Sequence, residues 1–518
     1  MEYRNLPDII KHKAEQHPLR TAIVFGKRKY SYNELYENAK TIGSVLKQKG
    51  VQKNDKVALL LDNCPDFVFC YFGILLAQAI IVPINHMFKR DEIKFILEDS
   101  QSTTLITSAA YTRIAQELNV MIHDLSNILY TNQNTQDEPS LKKYASGNLP
   151  LENKPIIHQN NISGQDIAVF LYTSGTTGHP KAAQLSHNNL LANVISSTKT
   201  IRTTRKDTFI CFLPLFHSFA VTVCMLMPLY SGAKVVIMKS PRPVKKLLRM
   251  IRRNKVTIFV GIPSIYGILK DFKLPKFLPL RLLRLFNPIR LCISGAAALP
   301  IEVFTKFEKK FGIPLLEGYG LTEASPVVSL NPLKGKRKPG SIGLPIPNVK
   351  VKIVDEQERE VGTGQIGELC VHGPNIMKGY FKKEKETKEI LSNNWLKTGD
   401  MAKKDDEGYL YIVDRKKDMV NVRGLNVYPR EIEEILYQNP DIKEAAVIGV
   451  ADIHKGEVPK GFVVLRENAT CTEHDIINYL KQRLALYKIP RRIEIRESLP
   501  KNTTGKILKR HLAQEGKS

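Results

Sequence analysis

Two long stretches carry no charged side chain, residues 67–85 (FVFCYFGILLAQAIIVPIN) and 209–233 (FICFLPLFHSFAVTVCMLMPLYSGA). Each is long enough to span a bilayer. The first, however, predicts a buried helix running into a short strand that ends at Pro83, and the second is broken by Pro214, Pro228 and Gly232 and contains His217. Fully buried α/β elements give the same uncharged windows, so both are assigned to a core. A further apolar run, IAVFLY (167–172), predicts a strand that leads into a turn rich in Gly and Thr. Beyond that turn, Ser186 is placed to N-cap a helix through Asn188 to Val194. Farther on, RPVKKLLRMIRRNKV (242–256) alternates basic and apolar residues at helical spacing, and KLPKFLPLRLLRLFNPIR (273–290) interleaves Leu and Phe with Lys and Arg. The fold class expected is α/β.

At 518 residues the chain exceeds a single core and predicts several units. With 43% hydrophobic and 25% charged residues and no repeat or low-complexity tract, long disorder is not expected. The first twenty residues lack the basic end, apolar run and cleavage site of a signal peptide, so export is not expected. Seven scattered cysteines without a C-x-x-C pair argue against a disulfide framework or a zinc site and fit a cytoplasmic protein.

The net charge of +26 implies an anionic partner, but its placement matters more than its size. Between residues 239 and 290, fourteen Lys or Arg stand against one acid, Asp271, which places half the net charge in about a tenth of the chain. Such a segment fits either a solvated helix face or the inner surface of an anionic membrane, in the region 242–290. No nucleic-acid-binding motif accompanies it, so a nucleic-acid partner is not expected.

The most informative chemistry follows the strand ending at Tyr172. In TSGTTGHPK (173–181), glycines and small hydroxylated residues let backbone amides and the Ser174, Thr176 and Thr177 hydroxyls approach phosphate oxygens, and Lys181 adds a point charge. A polyphosphate is the guest this predicts. Gly175, Gly178 and Lys181 do not fit the Walker A spacing.

The ten-residue string from Tyr172 resembles the signature of the adenylate-forming superfamily, which includes acyl-CoA synthetases, nonribosomal-peptide adenylation domains and beetle luciferases, and the similarity continues in order along nearly the whole chain. The resemblance implies that the string from Thr173 to Lys181 binds ATP. GYGLTE (318–323) is similar to the next motif, implying that Tyr319 stacks on adenine, Thr322 contacts the α-phosphate and Glu323 helps hold Mg²⁺. SGAAALP (294–300) stands where the family has a glycine-rich strand and turn beside adenine, so Gly295 and Ala296 are implied neighbours of the nucleotide. Ala296 and Ala298 depart from the commoner S-G-G-A-P-L, which implies a narrower acyl-pocket floor beside Gly295. WLKTGD (395–400) resembles the ribose motif, with Asp400 accepting from both hydroxyls.

DRKKDMVNVRGLNVYPREIEE (414–434) resembles the family's hinge: Arg415 would reach ribose or phosphate, Lys417 is the pivot, and Gly424 would line the pantetheine channel. PKNTTGKILKR (500–510) is similar to the last motif, which makes Lys506 the implied catalytic lysine. The implied architecture is a large N-terminal domain of sheets flanked by helices, residues 1–414, plus a small, mobile α+β C-terminal domain, residues 415–518.

PLFHSF (214–219) carries the substrate signal, because His217 matches the gate between the adenylation site and the thiol tunnel. No carboxylate occurs between Leu213 and Met225. An ammonium buried there would be unpaired, so an amino acid is disfavoured. The flanking runs 219–227 and 260–269 are largely apolar, which favours a fatty acid. The function expected is therefore an ATP-dependent acyl-CoA ligase using ATP, Mg²⁺ and coenzyme A, on a medium- to long-chain acid. An aryl or other acid, or an acyl carrier protein as acceptor, remain alternatives, and a non-catalytic membrane scaffold is disfavoured by the retained Lys506, Glu323 and Asp400.

Overall fold

The computed structural model describes residues 3–131, 162–173, 180–272, 288–423, 425–452, 456–502 and 505–515. The first uncharged stretch is helix α1 (Pro65–Leu76), buried on every side, with Pro65 in its first turn where the missing N–H costs nothing. It leads into the strand Ile80–Pro83. Strand β1 (Ile167–Thr173) pairs antiparallel with β2 (Lys181–Ser186). Ser186 then caps helix α2 (His187–Ile201) through a box in which it and Asn189 each bond the other's backbone.

The second uncharged stretch opens with β3 (Thr208–Cys211) and continues as helical backbone from Ser218, with a π-helical segment at Val221–Leu226. Next come β4 (Lys234–Ile237), helix α3 (Val244–Asn254), β5 (Ile258–Gly261), β6 (Leu291–Ser294), helix α4 (Ile301–Phe311) and β7 (Leu315–Gly320). Strands β8 (Trp395–Lys404) and β9 (Leu410–Arg415) form a hairpin, and helix α5 (Pro429–Gln438) follows. No helix among the described residues is long and apolar enough to cross a membrane.

Among the described residues the strands form four sheets. One runs Asn127–Thr131, Ser102–Ser108, Lys56–Leu59, Ile80–Pro83, β1, β2, parallel except for the last pair. The largest runs Leu344–Pro345, Val327–Leu330, β7, β6, β5, β3, β4, Thr21–Phe25, Arg28–Ser31, with a parallel block from β7 to Thr21–Phe25. In both, parallel strands deliver their carboxyl ends to a common edge, where open α/β sheets bind ligands. A third, antiparallel sheet contains β8 and β9, and a fourth is built from residues after Val420.

One apolar core extends from Tyr3 to Leu410 and fills the space between the two large sheets and their helices. A smaller one, with Ile96, Leu105 and Phe170, covers the other face of the first sheet. The residues after Val420 bury their apolar side chains in clusters of their own around Val447 and Phe462, the mark of a separately packed C-terminal unit.

Candidate active site

Thr173 ends β1 and Lys181 opens β2, and the two are register partners. The turn between them, with Ser174, Gly175, Thr176, Thr177 and Gly178, lies outside the described residues. Its anchors are placed. The Lys181 ammonium stands 5.5 Å over the ring of Tyr380, whose hydroxyl donates to Glu323 Oε1 at 2.7 Å. Burial, and after it the Glu323 carboxylate, raise the Tyr380 phenol far above its ordinary value, with a Thr173 hydrogen bond opposing. It therefore stays a donor and fixes the glutamate's orientation. Tyr380 carries no sequence signal that singles it out, being one aromatic in a lysine-rich stretch 57 residues from its partner.

β7 ends in the GYGLTE segment. The Tyr319 hydroxyl donates to Asp400 Oδ2, and burial together with that carboxylate raise the phenol well above its usual range. Thr322 and Glu323 lie in a 3₁₀ turn, where Thr322 Oγ1 is 3.2 Å from Ser218 Oγ. Asp400 is buried inside β8, its register partner on β9 is Arg415, and Arg415 Nε stands 3.3 Å from Asp400 Oδ1.

Gly295 and Ala296 follow β6. A Cβ on Gly295 would lie 2.7 Å from Phe219 Cζ, so the Phe219 ring packs directly on the glycine. Phe219, two residues past His217, opens the apolar run 219–227 that the sequence offers as a wall for the acid. Ala296 has a φ of 67°, a left-handed conformation that costs a residue with a Cβ roughly 1–2 kcal/mol.

The Lys506 turn arrives from the far end of the chain. Lys506 N–H donates to Asn502 Oδ1 at 2.8 Å and Gly505 N–H to the Asn502 carbonyl at 2.9 Å. Gly505 has a φ of 77°, and a Cβ there would lie 2.9 Å from Ile262 Cδ1 and 3.2 Å from Ser264 Oγ. The turn thus rests against the residues that follow β5. Lys506 is accessible to solvent along its own surface yet closely surrounded by protein, as befits a side chain in an open cleft. That crowding, followed by the charge of Arg415, lowers its ammonium to about 8, while Asp400 and Asp418 oppose the drop. His217 senses the same cation: burial first and Lys506 second lower the imidazole to about 4, so it is neutral near pH 7. Lys417 occupies a 3₁₀ turn directly after β9, and Gly424 lies outside the described residues.

Lys506, Arg415, Asp400, Tyr319 and His217 thus form one electrostatic neighbourhood, with Thr322 reached through Ser218, and Glu323, Tyr380, Thr173 and Lys181 form a second group. Among the described residues no three His, Cys, Asp or Glu side chains cluster as an all-protein metal cage. A single hard carboxylate such as Glu323 suits Mg²⁺, which keeps water and substrate oxygens as its other ligands.

Comparison with known proteins agrees with this geometry. The AMP-binding enzyme family matches residues 10–381, and the AMP-binding enzyme C-terminal domain matches residues 431–506. A long-chain-fatty-acid–CoA ligase of Bacillus subtilis (strain 168) is 36% identical, across 99% of this chain and 94% of its own length. The crystal structure of ATP-bound MatB from Rhodopseudomonas palustris superimposes with a TM-score of 0.88 at 28% identity, covering 99% of both chains. The B. subtilis o-succinylbenzoate coenzyme A synthetase MenE, in complex with ATP and magnesium ion, gives a TM-score of 0.83 at 28% identity over 98% of this chain and 99% of its own. Arrangement, order and full-length similarity together establish that this chain belongs to the AMP-binding enzyme family.

Proposed function

We propose that the protein is an ATP-dependent, AMP-forming acyl-CoA ligase for medium- to long-chain fatty acids. The observation that carries this reading is the approach of Lys506 to Asp400, Arg415 and His217, which makes a cationic cleft out of residues far apart in the chain. In the first half-reaction the fatty carboxylate attacks the α-phosphorus of ATP and pyrophosphate leaves. Lys506 neutralises the charge that develops between carboxylate and phosphate, Thr322 orients the α-phosphate, and Asp400 with Arg415 holds the ribose. Glu323 would hold Mg²⁺, which when bound neutralises the polyphosphate. In the second half-reaction a thiol attacks the acyl carbonyl, AMP leaves, and neutral His217 lines the entry.

Lys417 is the pivot in this scheme: residues 415–518 turn against 1–414, withdrawing Lys506 and bringing Gly424 to the thiol channel. The acid's class is supported by the apolar wall, where Phe219 lies on Gly295 and the π-helical residues Val221–Leu226 are buried, and by relatives that are long-chain-fatty-acid–CoA ligases. Free coenzyme A is the acceptor proposed here; an acyl carrier protein would need the same first step. The reading places the enzyme in the cytoplasm, at the inner face of the membrane.

ATP–pyrophosphate exchange across acids of graded length and aromaticity, followed by product analysis with coenzyme A, tests the proposal. Exchange rising with chain length and giving acyl-CoA and AMP is expected. Exclusive use of a short or aryl acid would overturn the substrate class, and no exchange with any acid would overturn the activity.

A further inference from the structure

The chemistry of adenylation leaves the basic run 242–256 unused. In the fold its centre is α3, which buries Leu247, Met250, Ile251 and Asn254 against the core. The outward face presents Lys245, Lys246, Arg249, Arg252 and Arg253, all exposed, preceded by Arg242 and followed by Lys255. Nearby basic residues are matched inside the chain: Lys239 pairs with Asp62, Lys270 with Glu302 and Arg290 with Asp207. Among the described residues, none of the seven on and beside α3 has such a partner.

Their spacing makes this costly. Lys245 and Arg249, and Arg249 and Arg253, are like-charged neighbours four residues apart on the helix, a relation that destabilises it. The remaining outward residue is Leu248, 36% exposed, and with Arg249, Arg252 and Arg253 it lines a shallow depression. The outward face of the helix has no exposed hydroxyl, amide or acid, so it offers charge and one apolar contact but nothing to read a specific polar pattern. A helix of 11 residues spans about 16 Å of flat surface. A diffuse anionic sheet is the partner this chemistry fits.

We propose that the outward face of α3 docks on an anionic phospholipid bilayer, the arginines receiving headgroup phosphates and Leu248 entering the interface. The location suits delivery of an acid that partitions into lipid. α3 runs from the carboxyl end of β4 back to the start of β5, and β5 leads into Ile262, on which the Lys506 turn rests. Only this last link depends on the fatty-acid reading; the docking face stands without it.

The test is sedimentation of the full-length protein with phosphatidylglycerol-containing vesicles and with pure phosphatidylcholine vesicles, at low and high salt. Each basic residue near such a surface is worth about a fivefold change in partitioning, so Arg249→Gln/Arg252→Gln/Arg253→Gln should weaken binding roughly a hundredfold. Lys27→Gln/Lys385→Gln/Lys388→Gln removes the same charge from other exposed positions and should change it little. Binding that is anionic-lipid-dependent, salt-sensitive and lost only in the α3 variant supports the proposal. No vesicle binding at low salt, equal loss in both triple variants, or capture of an acidic carrier protein without vesicle binding overturns it. Pyrophosphate exchange with a water-soluble acid should stay at the wild-type level in the α3 variant, and its loss would assign the face to the fold instead. Vesicle binding by a protein that exchanges pyrophosphate with no acid would sink the ligase reading and leave the docking face intact.

Discussion

Replacing Lys506 with methionine keeps the length of the side chain and removes its charge, so it isolates what the cation does. In the structure that charge is held in place before reaction, by Asn502 at its turn and by the packing of Gly505 on Ile262, and it lies among Arg415, Asp400 and His217. Removing one preorganised group from the position where charge develops costs about 10²–10³ in rate, or roughly 3–4 kcal/mol of barrier. The pH profile makes the test specific. Crowding and Arg415 bring the ammonium from its ordinary 10.5 to about 8. The active cation is therefore present below pH 8 and titrates away above it, and pyrophosphate exchange should fall nearly tenfold per pH unit on the alkaline side. In Lys506→Met the alkaline limb should vanish, leaving a low, flat rate, while attack of coenzyme A on preformed acyl-adenylate should stay near wild type, as the proposed withdrawal of the lysine requires. The sign for folding is the reverse of a stabilising lysine: the lowered value means the ammonium opposes the folded state below pH 8, and that penalty is relieved as pH rises toward 10.5. Unchanged exchange in the variant, or an alkaline limb that survives the substitution, would refute the assignment of Lys506 to the first half-reaction.

Two further outcomes follow from single contacts. In Gly295→Ala the new methyl would meet Phe219 Cζ at 2.7 Å, which pushes the ring into the acyl site. kcat/KM for the longest acids should drop at least tenfold while short acids are spared, Phe219→Ala in the same chain should restore them, and an unchanged length profile would remove Phe219 from the wall. Arg290→Ala leaves Asp207, 5% exposed, without the guanidinium that reaches its two oxygens at 2.7 and 2.9 Å. Burial pushes that carboxyl up, but hydrogen bonds from Arg290 and Thr257 outweigh it and hold it below its ordinary range, so the pair stabilises at neutral pH and its contribution fades on acidification. A loss of about 3 kcal/mol is expected at pH 7, with a smaller difference in acid; denaturant melts at both pH values check it, and equal losses would contradict the linkage.

Much of the architecture was legible because burial leaves a local mark. α1 is apolar on all sides and runs into the short strand that ends at Pro83, and Ser186 announces its helix through a box completed three residues later. Strand β2 was missed for an equally physical reason. KAAQLS has weak strand propensity and no clean alternation, and it is extended because β1 pairs with it along its whole length. WLKTGD reads as a turn when taken alone, yet it lies inside a ten-residue strand, with Gly399 at a φ of 71° supplying the local irregularity that its neighbours could not.

The site divides along the same line. Each candidate taken singly had an ordinary explanation: an exposed terminal lysine, a capping glutamate, a turn aspartate. Order along the chain was what made them informative, and the fold supplies the reason. Tyr319 and Asp400 are 81 residues apart and share a hydrogen bond because the antiparallel sheet carrying β8 folds back onto the end of β7. Lys506 modulates His217 because the turn at Gly505 is narrow enough to sit on Ile262, and a side chain at that one position would push the ammonium away from the cleft. What no local pattern could reveal is the pairing of Tyr380 with Glu323 and of Phe219 with Gly295, since aromatic residues there satisfy ordinary packing equally well. In the function proposed, these partners bear on orientation and acyl length rather than on reaction type. The motif residues therefore speak for the chemistry, whereas the proposed identity of the acid rests on contacts such as Phe219 on Gly295, which exist only once β3 and β6 lie in one sheet and bring the segments that follow them together.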